Sequence, residues 1–154
     1  MPAGSDPALG LPVTWRPLGP RVVGIAIGAG LLVICAASWF TFDSETRARF
    51  TLFQRGTLLA LGLFAFSLLY GLLRSRVEAH ADRLVVVNGY RRREYEWAEI
   101  IAVNLPPGAP WVTLDLADGE TAAVMGIQGS DGARAEEAVR ELRRIVARQS
   151  MTGD

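Results

Sequence analysis

The sequence predicts an α+β chain in which a two-helix transmembrane hairpin precedes a small domain of antiparallel strands closed by a C-terminal α-helix. Three observations predict it. Two apolar runs without a charge, Val22 to Phe42 and Gly56 to Leu73, lie in the first half of the 154 residues. After Arg76 the apolar residues fall into short segments separated by turn residues, Asn88-Gly89 and Asp118-Gly119 among them. From Ala135 onward apolar residues recur at helical spacing. The chain is thereby divided into an N-terminal tail at 1–20, a hairpin at 21–74 with spans at about 22–42 and 56–73, a soluble domain at 76–149 and a tail at 150–154. The first 20 residues are rich in Pro and Gly and read as disordered, as does the last segment.

At about 1.5 Å per residue, the first run of 21 residues crosses a hydrocarbon core of roughly 30 Å with little to spare. The second, at 18 residues, is short and spans if Arg55 and Arg74 snorkel to the two interfaces. Only 13 residues, Asp43 to Arg55, separate the runs, so both ends of the hairpin are expected on one side. Ala36-Ala37-Ser38 is a partial signal-cleavage match. The run before it is longer than a signal core of about 7–15 residues, and a second span follows at once, which predicts retention. Ile34 before Cys35 does not suit lipoprotein processing.

Orientation follows from arginines near the span ends. Arg16, Arg21, Arg74, Arg76 and Arg83 outnumber Arg47, Arg49 and Arg55 in the loop, which predicts cytoplasmic termini and a cytoplasmic C-terminal domain at the inner membrane. Gly24 and Gly28, with Ala26 and Gly30 nearby, allow a close helix approach, most simply between the two spans. Trp39, Phe40 and Phe42 at one end and Tyr70 toward the other suit the membrane interfaces.

In the soluble part Val77 to Ala81 and Leu84 to Asn88 read as strands. Asn88-Gly89 reads as a type I′ hairpin turn, both of whose central residues need positive φ, leading into a strand at Tyr90 to Tyr95. An apolar stretch within Trp97 to Val103 precedes Pro106-Pro107-Gly108-Ala109-Pro110, which is neither strand nor helix. Trp111 to Leu116 alternates, and Asp118-Gly119 turns it into Thr121 to Met125. The closing helix starts at Ser130 or Asp131 as N-cap. Ala135, Ala138, Val139, Leu142, Ile145 and Val146 form its apolar face, and Glu136–Arg140 and Glu141–Arg144 pair along its charged face.

Zero net charge conceals a division: residues 1–76 carry +4 and residues 77–154 carry −4. An acidic domain is a poor nucleic-acid binder, since phosphate contacts need a basic face. Every cation is Arg, and there is no Lys. One His, His80, and one Cys, Cys35, offer neither a metal site nor a disulfide, and no glycine-rich phosphate loop is present. No catalytic, cofactor-binding or metal-ligating set is therefore predicted. Ser38, Thr57 and Ser67 inside the runs are too mild to mark a membrane enzyme, which stays a remote alternative.

The succession Asn88-Gly89, Arg93, Tyr95-Glu96-Trp97-Ala98-Glu99-Ile100 and Ala117-Asp118-Gly119, with two spans before it and a helix after it, resembles a family of small actinobacterial membrane proteins. These carry a bacterial pleckstrin-homology (PH)-like domain, and low molecular weight protein antigen 6 is of this type. The resemblance implies a partly open antiparallel barrel capped by the C-terminal helix, usually of seven strands. Six strands are read here, which places the seventh after Leu105 or around Met125 to Gln128. It implies a non-catalytic interaction or scaffolding role with a protein partner, no cofactor, and the bilayer as second partner through the spans.

Eukaryotic relatives hold phosphoinositides in a basic loop between their first two strands. The corresponding turn here is Asp82-Arg83, which does not supply that loop. Arg91, Arg92 and Arg93 are the one basic cluster, and with juxtamembrane Arg74 and Arg76 they are the candidates for contact with an anionic lipid surface. Alternation turns Arg92 away from Arg91 and Arg93. A lipid-sensing domain using Arg91 to Arg93 is the alternative to a protein-binding module.

Overall fold

The computed structural model describes residues 10–152. In chain order it comprises β1 (Val13–Trp15), α1 (Gly19–Thr41), α2 (Ser44–Arg49), α3 (Leu52–Arg74), β2 (Arg76–Ala79), β3 (Arg83–Asn88), β4 (Arg91–Glu96), β5 (Ile100–Asn104), β6 (Trp111–Leu116), β7 (Thr121–Gln128) and α4 (Ala133–Thr152). Single 3-10 turns stand at Trp97–Glu99 and Gly129–Asp131.

Helices α1 and α3 are 23 residues each, long and apolar enough to cross a membrane. Neither is a core helix: α1 buries no residue and α3 buries only Gly71. They meet near the domain. A Cβ on Gly24 would stand 2.8 Å from Leu69 Cδ1, and one on Gly28 would stand 2.7 Å from Leu69 Cδ2, so the two glycines admit this leucine. The Gly-x-x-x-Gly face is the intramolecular one.

The connection at the far end is ordered by caps. Asp43 accepts from Thr46 N–H at 2.6 Å to open α2, and Thr51 with Gln54 forms a capping box at the start of α3. Arg55 does not extend away from the helices. Its guanidinium donates to the carbonyls of Phe50 (3.1 Å) and Arg47 (2.7 Å) and lies 5.5 Å from the Trp39 ring centre, closing the loop on itself.

The domain has two sheets, ordered β1-β2-β3-β4 and β5-β6-β7. The seventh strand is not in the loop after Leu105, nor is it a separate strand around Met125 to Gln128, which is the continuation of β7. It is β1, from the chain ahead of the first long helix. Val13 pairs with Ala79, Thr14 with Glu78 and Trp15 with Val77. Residues 10–18 are thus part of the domain and not of a tail, because Leu11 is buried in the core and β1 covers an edge of β2 that would otherwise be open. Residues 1–9, the rest of the expected tail, lie outside the described residues. At the other end Ser150 to Thr152 continue α4, and residues 153–154 lie outside the description.

The β3–β4 turn also differs from expectation. Asn88 pairs with Arg91, which leaves Gly89 and Tyr90 as the central residues. Among the described residues no non-glycine has positive φ, and Gly89 has φ 60°. One left-handed position, at a glycine in first place, is the type II′ pattern. Asn88 is freed for another task. Its side chain donates to Ala123 O (2.6 Å) and accepts from Met125 N–H (2.9 Å), joining the two sheets between β3 and β7. Gly126 completes the closure, since a Cβ there would stand 2.6 Å from the Arg76 carbonyl carbon.

Leu84, Val86, Val112, Leu114 and Val124 fill the space between the sheets. Ala135, Ala138, Val139, Leu142 and Ile145 of α4 cap it. Val85 and Val87 face the other way and are still buried. Register sets Glu78 and Glu94 on either side of Val85, and Arg76 and Arg92 on either side of Val87, so aliphatic stems of charged residues cover them.

Candidate functional site

The domain is fastened to both helices. On the α3 side the β3–β4 turn lies against the last two turns of the helix. Tyr90 Oη donates to Ser67 O at 2.7 Å and stands 2.9 Å from Ser67 Oγ. Its ring fills the space left by Gly71, where a Cβ would come within 3.0 Å, and approaches Tyr70 at 6.3 Å between centroids. Ser75, buried at the helix end, accepts from Gly89 N–H at 3.0 Å. On the α1 side the Asp131 carboxylate accepts from Leu18 N–H (3.0 Å) and Gly19 N–H (2.8 Å). Asp131, expected to cap the closing helix, thus caps the first long helix instead. Glu141, expected to pair with Arg144, accepts from Trp15 Nε1 at 3.1 Å and holds β1 to α4. Glu136 and Arg140 do approach, at 3.8 Å.

The five arginines singled out from sequence divide under this geometry. Arg74 ends α3, exposed. Arg91 and Arg93 are exposed on β4, immediately after the Tyr90 turn, and neither has an ion-pair partner among the described residues. Arg92 is on the other face and bonds Glu94 at 2.7 Å. Arg76 is a half-buried strand residue bonded to Glu78, not a free juxtamembrane cation. The structure leaves Arg74, Arg91 and Arg93 exposed and draws Arg76 and Arg92 into ion pairs.

Those pairs set the local titration. Hydrogen bonding from the Arg76 guanidinium holds the Glu78 carboxyl below its ordinary value, and Arg83 does the same for Asp82 and Glu94. The two carboxylates push Arg83 upward in return. His80 Nε2 is 3.5 Å from Glu78, while its Nδ1 is buried without a hydrogen-bond partner among the described residues. Among the described residues no three His, Cys, Asp or Glu side chains are grouped to hold a metal ion.

A second open feature lies on the domain itself. β5 is the edge of its sheet, and between it and α4 runs a groove of about 630 Å³ lined by Trp97, Ile100, Ile101, Val103, Arg143 and Val146 among others. Ile101 is 66% exposed there. Arg143 donates to Val103 O at 2.8 Å and forms part of the wall. Tyr90, Asp131, Ser75 and this groove were not marked as functional by sequence reasoning. Their roles arise from contacts between segments far apart in the chain, and Gly71, beneath the Tyr90 ring, is the one local signal that could have pointed to them.

No solved structure matches the chain. Residues 74–145 match the Bacterial PH domain family. Uncharacterized protein Rv1417 of Mycobacterium tuberculosis and uncharacterized protein Mb1452 of Mycobacterium bovis are each 31% identical over 139 residues, covering 87% of this chain and 85% of theirs. A match of that extent cannot be confined to the domain and takes in the helical hairpin. With two antiparallel sheets, a closing helix and these relatives, the chain belongs to the bacterial PH domain family.

Proposed function

We propose that this protein is a membrane-anchored, non-catalytic interaction module, with α1 and α3 spanning the cell membrane and the PH-like domain held at its cytoplasmic face. The observation that carries this reading is the pairing of β1 with β2 across the helical hairpin. It returns both ends of the hairpin to one domain, so cleavage after the first span would separate β1 from the strand it pairs with, and α1 and α3 are left almost wholly exposed by the described residues. At about 1.5 Å per residue their 23 residues reach about 35 Å, enough for a hydrocarbon core of roughly 30 Å. The arginine excess at the domain end supports the cytoplasmic side. Kinship with low molecular weight protein antigen 6 belongs to the same proposal.

The partner-facing surface in this reading is the β5 edge with the groove beside α4, where an exposed isoleucine adjoins an open strand edge. Alkaline carbonate washing of membranes containing the full chain tests the anchor. A photoreactive side chain at Ala147, with and without Ile101→Glu, tests the face. The chain should stay in the pellet, and its crosslinks should disappear with the charged variant. Extraction into the supernatant would overturn the anchor, and crosslinks indifferent to Ile101→Glu would overturn the groove.

A second reading has one observation in its favour. Arg74 ends α3, Arg91 follows the Tyr90 turn that rests on that helix, and Arg74, Arg91 and Arg93 have no ion-pair partner among the described residues, so a lipid surface at that level would meet exposed guanidinium groups. Binding of the full chain to anionic vesicles that weakens when all three are changed to Gln is the expected sign.

A further inference from the structure

We propose that the groove between β5 and α4 takes an extended acidic segment of a protein partner, in which a carboxylate and a large apolar side chain stand two residues apart. This deepens the docking face named above and rests on it. The groove is preformed, because α4 is tied to the rest of the domain at two levels. Arg143 Nε donates to Val103 O at 2.8 Å, and further along the helix Gln149 Nε2 donates to Ala81 O at 3.0 Å. Trp97, which lines the groove, is held at that second level by its own bond from Nε1 to His80 O at 3.1 Å.

The lining selects the charge. Arg143 is the one charged residue in it, and this arginine has no ion-pair partner among the described residues. Its bond to Val103 uses Nε and fixes the plane of the guanidinium, which leaves the two Nη groups as the fork from which a carboxylate accepts. Two carboxylates adjoin lining residues without belonging to the lining. Asp115 accepts from Asn104 Nδ2 at 2.7 Å, and Glu99 accepts from Glu96 N–H at 2.8 Å.

The spacing follows from both walls. Ile101, the exposed isoleucine, stands two residues from Val103, about 6.6 Å along the strand. Val146 and Ala147 stand one turn from Arg143, about 5 Å along α4. The cation and the apolar patch are thus about 5–7 Å apart, the separation of residues i and i+2 on one side of an extended chain. β5 is also the edge of its sheet and offers backbone groups beside the patch, which a peptide can use and a fatty acid cannot.

The test uses the full chain in mild detergent with a photoreactive side chain at Ala147. The probe is the acetylated and amidated peptide Ser-Thr-Glu-Thr-Leu-Thr-Ser, and crosslinked product is counted by intact mass. It should be captured about fivefold or more over the same peptide with Lys in place of Glu, and over one with Glu and Leu adjacent. Arg143→Glu should reverse the preference toward the Lys peptide, and matching thermal transitions would show that the variant is folded. The comparison of peptides on the wild-type chain stands without any variant.

Capture indifferent to peptide charge in the wild-type chain would overturn the proposal, as would equal capture of the two spacings or a preference unchanged by Arg143→Glu. Loss of the captured peptide on adding octanoate at the same concentration would reassign the groove to a fatty carboxylate and overturn the peptide assignment. Failure of the docking face reads separately through Ile101→Ser, which removes the apolar contact without adding charge. Capture unaffected by Ile101→Ser would overturn the face itself, whereas charge-indifferent capture that Ile101→Ser still abolishes would overturn only the acidic partner.

Discussion

Trp15 and Val77 are register partners in the β1–β2 ladder, although the whole helical hairpin lies between them in the chain. The hairpin is in effect the loop of a β-hairpin. It leaves the domain after β1 and re-enters at β2, on adjacent strands of one sheet, and the domain closes only when both flanks of the insertion are present.

A segment consisting of residues 76–152 alone should therefore be less stable than one in which residues 10–18 are joined to Ser75 by a short linker replacing the hairpin. The shorter segment loses buried Leu11 and the partly buried Val13 and Trp15. At about 1.5–3 kcal/mol for each fully buried apolar side chain, the difference should be about 3 kcal/mol or more. Urea unfolding followed by circular dichroism measures it, and equal midpoints would show β1 to be dispensable.

Gly24 and Gly28 bracket Leu69 at the contact between the long helices. Gly28→Val should force that leucine or the helices to move and cost about 1–3 kcal/mol. Leu69→Ala in the same chain should recover part of the loss, since it removes the obstructing methyl groups. Thermal unfolding of the full chain in mild detergent gives the comparison, and additive losses in the double variant would argue against the contact.

Tyr90→Phe removes the bonds to Ser67 and should cost about 1 kcal/mol. Tyr90→Ala also empties the space over Gly71 and should raise amide exchange at Gly89 to Arg91 and in the last turns of α3. Leu84 to Val86 in the core should stay protected. Loss of protection spread evenly over the domain would contradict a local fastening role.

Stability should fall with acid in a defined window. Glu78, Asp82 and Glu94 titrate below their ordinary values of 4.5, 3.8 and 4.5 when folded. A depressed folded pKa stabilises the folded state above the unfolded value, and that contribution is lost as pH falls through the folded value. The loss should begin near pH 4.5 and continue downward. Glu78→Gln should cost about 0.5 kcal/mol at neutral pH and flatten part of this dependence. Unfolding midpoints from pH 7 to pH 3 decide it, and parallel curves for the two proteins would dismiss the Arg76–Glu78 pair.

Much of the fold was legible because it is local. Apolar length marked the two long helices, period-two alternation marked β6, and the recurrence from Ala135 to Val146 marked α4 and the side it buries. The hairpin turn at Asn88-Gly89 was legible as a turn. Its type was not, because the side chain of Asn88 is drawn off to Ala123 and Met125 and the glycine alone takes the left-handed position. Of the arginines, alternation alone separated Arg92 from Arg91 and Arg93, whereas the pairing of Arg76 with Glu78 needed the twist and spacing of the folded strand.

By itself the sequence determined where apolar residues run unbroken along two whole helices, and which strands and helix keep one side for a core. Only the tertiary structure decided that three residues before the first long helix are a strand, that Asp131 caps α1, and that Tyr90 rests on Gly71. The reason is physical. Hydrophobic periodicity is written in neighbouring residues, while strand pairing, capping across segments and close approach at glycine depend on which distant backbone groups the fold brings within hydrogen-bond reach.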